Sequence, residues 1–518
     1  MEQHSNPTEH NSGPREGRSR RWRRGVKGVR IELSTVIRRV IFSRTLVALL
    51  LLLAQVVILL IPAYRMTGFS LLAAVAILFI VNREENPDFK LAWVLPIAVL
   101  PVFGVLLYLV LKLQPSACLV SRRARQLDRV AVDTGVEGPD GVCRYLAKLN
   151  YPTYDDTAVH YFPLGELMFE EMLRQMETAE EFLFIESFIV AEGVMWEEVK
   201  QLLKRKAAQG VEVRLMVDGL GSLGKLPKTH LEELERAGVR CKVFAPLHPV
   251  LSTLQNNRDH RKILVVDGRV GFTGGINIAD EYINIALPHH WKDTGVLLEG
   301  GAVNSLTLMF LRTWALYDPG GGKNMLCYLR HHRAPRDGFV VPYADSPFDE
   351  EDTGKRVYLD MIHTAQRYVH IMTPYLIIDS ELSQGLRYAA KRGVDVSLIL
   401  PAISDNWVAS TVGRTYYREL ICDGVKIYEY EPGMMHGKSF VVDDNRAVVG
   451  TINIDYRSLF LHLECGCYLL DASAVTAVEE DFQICLEWCR RIGPQDIDIY
   501  SLPRRLIGQV GRLFAPLL

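Results

Sequence analysis

Two stretches decide the reading of this chain: His260-Arg-Lys262-Ile-Leu-Val-Val-Asp267 and His436-Gly-Lys438-Ser-Phe-Val-Val-Asp443. Both are H-x-K-x4-D. Both run on into a G-x-x-N tetrad, Gly274 to Asn277 and Gly450 to Asn453, and every one of these positions is offset by 176 residues. At ordinary residue frequencies one such motif arises by chance in roughly a few per cent of chains this long. Two in register, each followed by the same tetrad, mark an internal duplication.

The duplication extends outward from the motifs. Phe182–Val190 reads as a buried strand, Met195–Gln209 as a helix and Val211–Val217 as a strand. The same order recurs as Tyr368–Ile378, a helix through Lys391, and Val394–Leu400. Gly210-Val-Glu-Val matches Gly393-Val-Asp-Val, and Ala237-Gly-Val-Arg-Cys-Lys-Val matches Asp423-Gly-Val-Lys-Ile-Tyr. Strand–helix–strand order in two copies predicts two α/β halves, at 130–318 and 338–518, each of normal domain size. The Gly- and Pro-rich stretch from Asp318 to Gly322 and the polar segment to Asp337 read as the linker.

The motif carries phosphoryl chemistry. Residues i and i+2 of a strand face one side, so His260 and Lys262 are expected together, as are His436 and Lys438. A neutral imidazole can attack phosphorus, and a protonated one can donate to a departing alkoxide. Two lysines and the amides of Asn277 and Asn453 can stabilise the equatorial oxygens of a pentacoordinate phosphorus. Such donors do the work of a metal ion, so neither metal nor cofactor is expected. Because each motif supplies half the donors, one shared active site is expected.

A histidine base needs an orienting partner. Asp293 and Glu464 each open a matched run, Asp293-Thr-Gly-Val-Leu-Leu-Glu and Glu464-Cys-Gly-Cys-Tyr-Leu-Leu-Asp, and are the candidates. Asp267 and Asp443 allow two readings. They complete the catalytic motif, yet each sits at a strand end before a turn, where a carboxylate commonly caps backbone N–H groups.

Composition places the chain at a membrane. Among 518 residues, 48% are hydrophobic and 23% charged, with a net charge of −2. Mean hydropathy is +0.07, high for a soluble enzyme. Residues 1–44 form a basic, partly disordered arm with eleven Lys/Arg against four Glu, which leaves −9 on the remainder. That arm suits anionic membrane lipid. Residues 45–112 read as a transmembrane anchor of two or three helices: Thr45–Ala63 and Leu91–Leu111 as spans, Phe69–Val81 as a marginal one. The positive-inside rule puts the arm in the cytoplasm, and Lys112, Arg122, Arg123, Arg125 and Arg129 favour the same side. Two spans satisfy both ends and three do not. Nine scattered cysteines form no disulfide framework. Cys465, Cys467, Cys485 and Cys489 allow a zinc reading, but buried apolar thiols facing a reducing cytoplasm fit better.

The paired H-x-K-x4-D motifs resemble the phospholipase D superfamily over nearly all of residues 150–490. A closer likeness is to membrane-anchored bacterial cardiolipin synthases. It rests on Asn86-Pro-Asp-Phe-Lys-Leu-Ala-Trp, Ser252-Thr-Leu-Gln-Asn-Asn-Arg-Asp-His260-Arg-Lys262, Phe272-Thr-Gly-Gly-Ile-Asn277-Ile-Ala-Asp-Glu-Tyr and Gly450-Thr-Ile-Asn453-Ile-Asp-Tyr-Arg-Ser. The resemblance implies two phospholipase D-like α/β sandwich domains sharing one site behind an α-helical transmembrane anchor. It implies a phosphatidyltransferase in the cell membrane, multi-pass, with its catalytic domains on the cytoplasmic face. One phosphatidylglycerol would form a phosphohistidine and release glycerol, and a second would accept the phosphatidyl group to give cardiolipin. By the same resemblance His260 is the nucleophile and His436 the acid/base, although the residues alone also allow the reverse. The apolar insertion Ala245–Asp259 is expected to border the lipid entrance. Two other readings stay open: a membrane-bound phospholipase D that hydrolyses phosphodiesters, or a related nuclease, and a non-catalytic membrane scaffold. Nucleic acid is not an expected partner, because everything after the arm is net acidic. Oligomeric state is not legible.

Overall fold

A computed structural model describes residues 68–112, 115–128, 130, 135–246, 256–285, 287–318, 324–349, 351–499 and 502–517. The arm, Thr45–Ala63 and most of the Ala245–Asp259 insertion lie outside the described residues. The chain divides into two compact units. One holds 68–79 and 96–112 among described residues, and the other holds both motif-bearing halves together with 80–95.

The strands in chain order are β1 (Thr157–Phe162), β2 (Phe182–Ser187), β3 (Glu212–Asp218), β4 (Arg240–Phe244), β5 (Ile263–Val266), β6 (Val270–Gly274), β7 (His290–Lys292), β8 (Gly295–Gly300) and β9 (Phe339–Asp345). There follow β10 (Tyr368–Met372), β11 (Leu376–Ile377), β12 (Asp395–Pro401), β13 (Lys426–Tyr430), β14 (Gly433–Met435), β15 (Ser439–Val442), β16 (Arg446–Gly450), β17 (Ile454–Asp455), β18 (Glu464–Leu470) and β19 (Cys489–Arg491). They build two mixed sheets, ordered β1-β8-β6-β5-β2-β3-β4 and β9-β18-β16-β15-β10-β12-β13-β19. Strand for strand the first seven positions correspond, so the duplication is one of topology as well as of sequence. Each half keeps its parallel strands (β2-β3-β4, β10-β12-β13) at one side, joined by crossover helices such as Val194–Ala208 and Ser380–Lys391.

The two sheets share a core. Phe184, Val265 and Val296 of the first sheet pack in one cluster with Val441, Val449, Cys465 and Cys467 of the second. Strands of this kind are apolar on both faces because each sheet is covered on both. The helix Val303–Leu316 belongs to this layer, and every residue from Val303 to Ala315 is buried. Cys465, Cys467 and Cys485 are buried free thiols.

The span expected at Leu91–Leu111 is broken. Pro87–Val99 and Pro101–Lys112 are separate helices. Pro101 cannot continue the preceding helix, and a Cβ on Gly104 would lie 2.6 Å from the Ile97 Cα. The chain therefore doubles back tightly where only glycine fits. Among the described residues no helix is long and apolar enough to cross a membrane. Not all of the second basic cluster is surface charge: Arg123 donates to the Ala315 carbonyl at 2.5 Å, holding its helix (Pro115–Leu127) against Val303–Leu316.

Candidate active site

Each H-x-K tripeptide precedes its strand, so the lysines and histidines stand on extended backbone ahead of β5 and β15. That backbone is held by the opposite half. The His260 N–H donates to the Leu463 carbonyl at 2.9 Å, and the Leu463 N–H donates back to Arg258 at 2.8 Å. Likewise the N–H groups of His436 and Gly437 donate to the Lys292 carbonyl at 2.7 and 3.0 Å, continuing the parallel pairing of β14 with β7. The residue after Leu463 is Glu464, and the residue after Lys292 is Asp293. Each histidine therefore meets the carboxylate of the other half. His260 Nδ1 lies 2.8 and 3.0 Å from the two oxygens of Glu464, and His436 Nδ1 lies 2.5 Å from Asp293 Oδ2. Both carboxylates are fully buried.

The residue between histidine and lysine points the other way. Arg261 makes a buried network with Glu186 (2.8 Å), Asp259 (3.1 Å) and the Thr313 hydroxyl. Its counterpart is Gly437, where a Cβ would press on Thr294 at 3.1 Å. Alternation thus keeps each His–Lys pair on one side, as expected. The Lys262 and Lys438 ammonium groups each donate to the carbonyl of their own histidine. Lys438 Nζ also lies 2.8 and 3.1 Å from the two ring nitrogens of His436, and Lys262 Nζ sits 5.4 Å from the centre of the Phe188 ring.

Burial and mutual charge set the protonation states. Burial, reinforced by Lys262, Lys438 and His436, holds His260 well below its usual pKa. Burial and Lys438 leave His436 below its ordinary value as well, although Asp293 opposes part of that shift. Burial also lowers the lysines, Lys262 to about 7 and Lys438 to about 8. The carboxylates diverge. Burial pushes Glu464 up to about 7. Burial also opposes ionisation of Asp293, but His436 and Lys438 outweigh it and leave that group below its ordinary value. Environments that separate two like groups assign their roles. His260 faces the weaker anion and is lowered the further, and His436 faces the firmer one.

These values predict the pH profile. kcat/KM, which reports the free enzyme, is expected to fall on the alkaline side well below the ordinary lysine value, first as His436, lowered by burial and by Lys438, gives up its proton, and then as Lys262 and Lys438, at about 7 and about 8, lose theirs. The acid limb is expected below pH 6.5, where His260 protonates. A pH–rate profile with an alkaline limb near 10 would contradict this.

The remaining motif residues separate. Asp267 lies at the far end of β5 from His260, and its carboxylate accepts from the N–H groups of Glu180 (2.9 Å), Glu181 (2.8 Å) and Phe182 (2.8 Å). Asp443 does the same for Gln366, Arg367 and Tyr368. Both carboxylates thus cap backbone, the second of the two readings that Asp267 and Asp443 allow, and stitch the turn after the motif strand to the start of β2 or β10. Asp267→Ala is expected to lower stability by about 1–2 kcal/mol by removing charge-assisted bonds to N–H groups that water only partly replaces, with turnover per folded molecule little changed; urea unfolding beside specific activity checks it. The matched asparagines also differ. Asn277 accepts from Ile189 N at 3.0 Å and donates to the Tyr282 hydroxyl at 2.6 Å, so it braces a loop. Asn453 lines the cavity beside His260, and its Oδ1 is buried without a partner.

Two residues escaped the reading of the sequence. His462 stands two positions before Glu464, as Trp291 stands two before Asp293. The His462 ring lies 5.6 Å from that of His260, and the Trp291 ring lies 5.1 Å from that of His436. The matched carboxylates, read with strand alternation, would have pointed to both. His260, His462 and Glu464 have donor atoms within 4.8 Å of one another, a grouping that could hold a metal ion. As folded, Glu464 is committed to His260. A cavity of about 450 Å³ opens on His260, lined among others by Phe188, Tyr375, Asn453, Arg457 and His462.

Comparison with known proteins agrees with this architecture. The family described as "Cardiolipin synthase, PLD-like domain" matches residues 172–292 and 358–486, and the phospholipase D-nuclease N-terminal family matches 69–112. An uncharacterized protein of Streptococcus mutans is 41% identical over 86% of this chain and 99% of its own length. Cardiolipin synthase 2 of Bacillus cereus is 34% identical over 85% of this chain and 89% of its own. The crystal structure of a phosphatidylserine synthase from Haemophilus influenzae superposes with a TM-score of 0.54 at 14% identity, covering 77% of this chain and 99% of that one, a likeness of fold. With both sheets, both motifs and a shared buried site in place, the chain belongs to the cardiolipin synthase family of phospholipase D-like phosphatidyltransferases.

Proposed function

We propose that this enzyme makes cardiolipin from two molecules of phosphatidylglycerol through a phosphatidyl-histidine. Nδ1 of His260 is engaged by Glu464, which leaves Nε2 to attack phosphorus. As the N–P bond forms, the P–O bond to the glycerol headgroup breaks, and protonated His436 delivers its proton to the departing oxygen. Glycerol leaves. A second phosphatidylglycerol places its terminal hydroxyl at the same point. His436 takes that proton, the oxygen attacks phosphorus, and the N–P bond breaks to restore His260. Lys262, Lys438 and Asn453 supply donors to the phosphoryl oxygens throughout. The crossed pairs His260–Glu464 and His436–Asp293 carry this reading, because they aim two imidazoles of different basicity into one buried cationic site.

Both substrates remain in a bilayer, so membrane attachment belongs to the same proposal. We assign it to the basic arm and the apolar run Thr45–Ala63, with the catalytic halves on the cytoplasmic face. The Gly68–Val81 helix supports it by exposing Leu71, Val75, Leu78 and Phe79.

The full chain in mixed micelles with phosphatidylglycerol is expected to yield cardiolipin and glycerol in equal amounts. Phosphatidic acid as the sole lipid product would replace transfer by hydrolysis. Turnover is expected to survive exhaustive chelation. Its loss, with recovery on adding a divalent metal, would move the chemistry to His260, His462 and Glu464.

A further inference from the structure

The helix Leu502–Leu513 (LPRRLIGQVGRL) is packed with its apolar side outward. The face turned to the protein carries two glycines beside Arg504 and Arg512, which reach Thr411 and Glu419. Gly508 and Ala515 are buried. A Cβ on Gly508 would lie 2.8 Å from Thr415 Cγ2, and one on Gly511 would lie 2.6 Å from Val412 Cγ2. These glycines let the helix lie close on Trp407–Gly413. The opposite face presents Leu506, Ile507, Val510, Leu513 and Phe514, all between 37% and 58% exposed, and Trp407 nearby is 53% exposed. A soluble fold normally buries such a stripe, and a contiguous exposed patch of this kind marks an interaction site.

Charge identifies the occupant. Arg418, Arg504 and Arg505, with Thr411, Thr415 and Gln509, line a recess of about 110 Å³ beside the stripe, which Arg414, paired with Glu429 at 2.9 Å, also borders. Arg504 reaches Thr411 Oγ1 at 3.3 Å and lies 5.9 Å from the Trp407 ring centre. Apolar side chains flanked by arginines fit the interface of an anionic bilayer, where leucines enter the acyl region and guanidinium groups meet phosphates. The patch is continuous with the catalytic cavity, since Val408, Ala409 and Ala515 line the same space as His260.

We propose that this helix, with Trp407 and the arginine recess, is an interfacial seat that rests the mouth of the His260 cavity on an anionic phospholipid surface. The inference deepens the proposed function and rests on it for the identity of the lipid. The seat is separate from the N-terminal attachment: the anchor keeps the enzyme at the membrane, and the seat brings the cavity mouth down to the lipid.

The test uses the full chain and a Leu506→Gln, Ile507→Gln, Val510→Gln variant, with substitutions confined to exposed positions. The first readout is the interfacial KM for phosphatidylglycerol in mixed micelles, expected to rise at least about tenfold. Turnover of a short-chain phosphatidylglycerol below its micellar concentration is expected to stay unchanged. The second readout needs no turnover. Brominated phosphatidylglycerol in equimolar vesicles with phosphatidylcholine is expected to quench fluorescence that Trp407→Phe removes. This quenching is expected to weaken in the triple variant and in vesicles of phosphatidylcholine alone. An unchanged interfacial KM with no Trp407 quenching overturns the seat and leaves the transferase reading standing. Quenching without any phosphatidylglycerol turnover overturns that reading and leaves the seat.

Discussion

Replacing His260 by alanine is expected to lower phosphatidyl transfer by about 10⁴-fold or more, since in the proposed mechanism it removes the group that splits one displacement into two. Replacing His436 should cost a similar factor with the natural substrate, because both glycerol departure and hydroxyl attack need its proton transfer. A phosphatidyl ester of p-nitrophenol separates the two roles, as that leaving group departs without an acid. His436→Ala is expected to release one equivalent of p-nitrophenolate in a burst and then stall as a phosphorus-labelled protein, stable when quenched with base. His260→Ala should show neither burst nor label. The opposite pattern would exchange the two roles, and unimpaired turnover in both variants would remove the site altogether.

The crossed carboxylates carry the second large effect. Asp293→Asn is expected to lower steady-state transfer by about 10²–10⁴-fold, the range set by losing the anion that orients and stabilises a histidine acid/base. Glu464→Gln should cost less at neutral pH, because Glu464, with its pKa pushed up to about 7, is only partly ionised there. The step affected distinguishes crossed pairing from pairing within a half. With the p-nitrophenyl ester, Asp293→Asn is expected to keep a fast burst and slow the transfer to the acceptor hydroxyl, since Asp293 holds His436. Glu464→Gln is expected to slow the burst itself, since Glu464 holds His260. Reversal of these two phenotypes would contradict the geometry.

An asymmetry between the copies bears on both carboxylates. At matched positions stand Gly275 and Thr451. A Cβ on Gly275 would come within 1.9 Å of Asp293 Oδ1, whereas the Thr451 hydroxyl donates to Glu464. The first copy clears room for a carboxylate that bonds its histidine and the Thr294 N–H at 2.9 Å. The second fills that room with a donor. The two halves have diverged at the residues that set how basic each histidine is, which suits one catalytic cycle with two unlike steps.

Much of the site was legible because a duplication repeats a pattern at a fixed offset. His260, Lys262, His436 and Lys438 stood out as a set, and strand alternation placed each pair on one side. The strand–helix–strand order, read from apolar runs and turn residues, recurs in the sheets, although the run Phe182–Val190 ends its strand at Ser187 and Tyr368–Ile378 divides into β10 and β11. Asp267 and Asp443 shared the offset equally, so register alone could not separate chemistry from framework. Their carboxylates bond backbone 75 to 87 residues away. The Leu91–Leu111 stretch was apolar enough for a span, but hydropathy is blind to the close approach at Gly104 that turns it into two helices.

The sequence by itself determined the residue types of the chemistry, their division between two α/β halves and the need for one shared site, because these follow from repetition and from the period of a strand. Only the tertiary structure decided which carboxylate serves which histidine. The backbone ahead of each H-x-K must satisfy its N–H and C=O groups. It does so on the segment that leads into the other half's acid, His260 with Leu463 and His436 with Lys292. Those partners lie 203 and 144 residues apart in the chain. Local periodicity carries no record of such pairing, because the segments meet only through the core that the two sheets share.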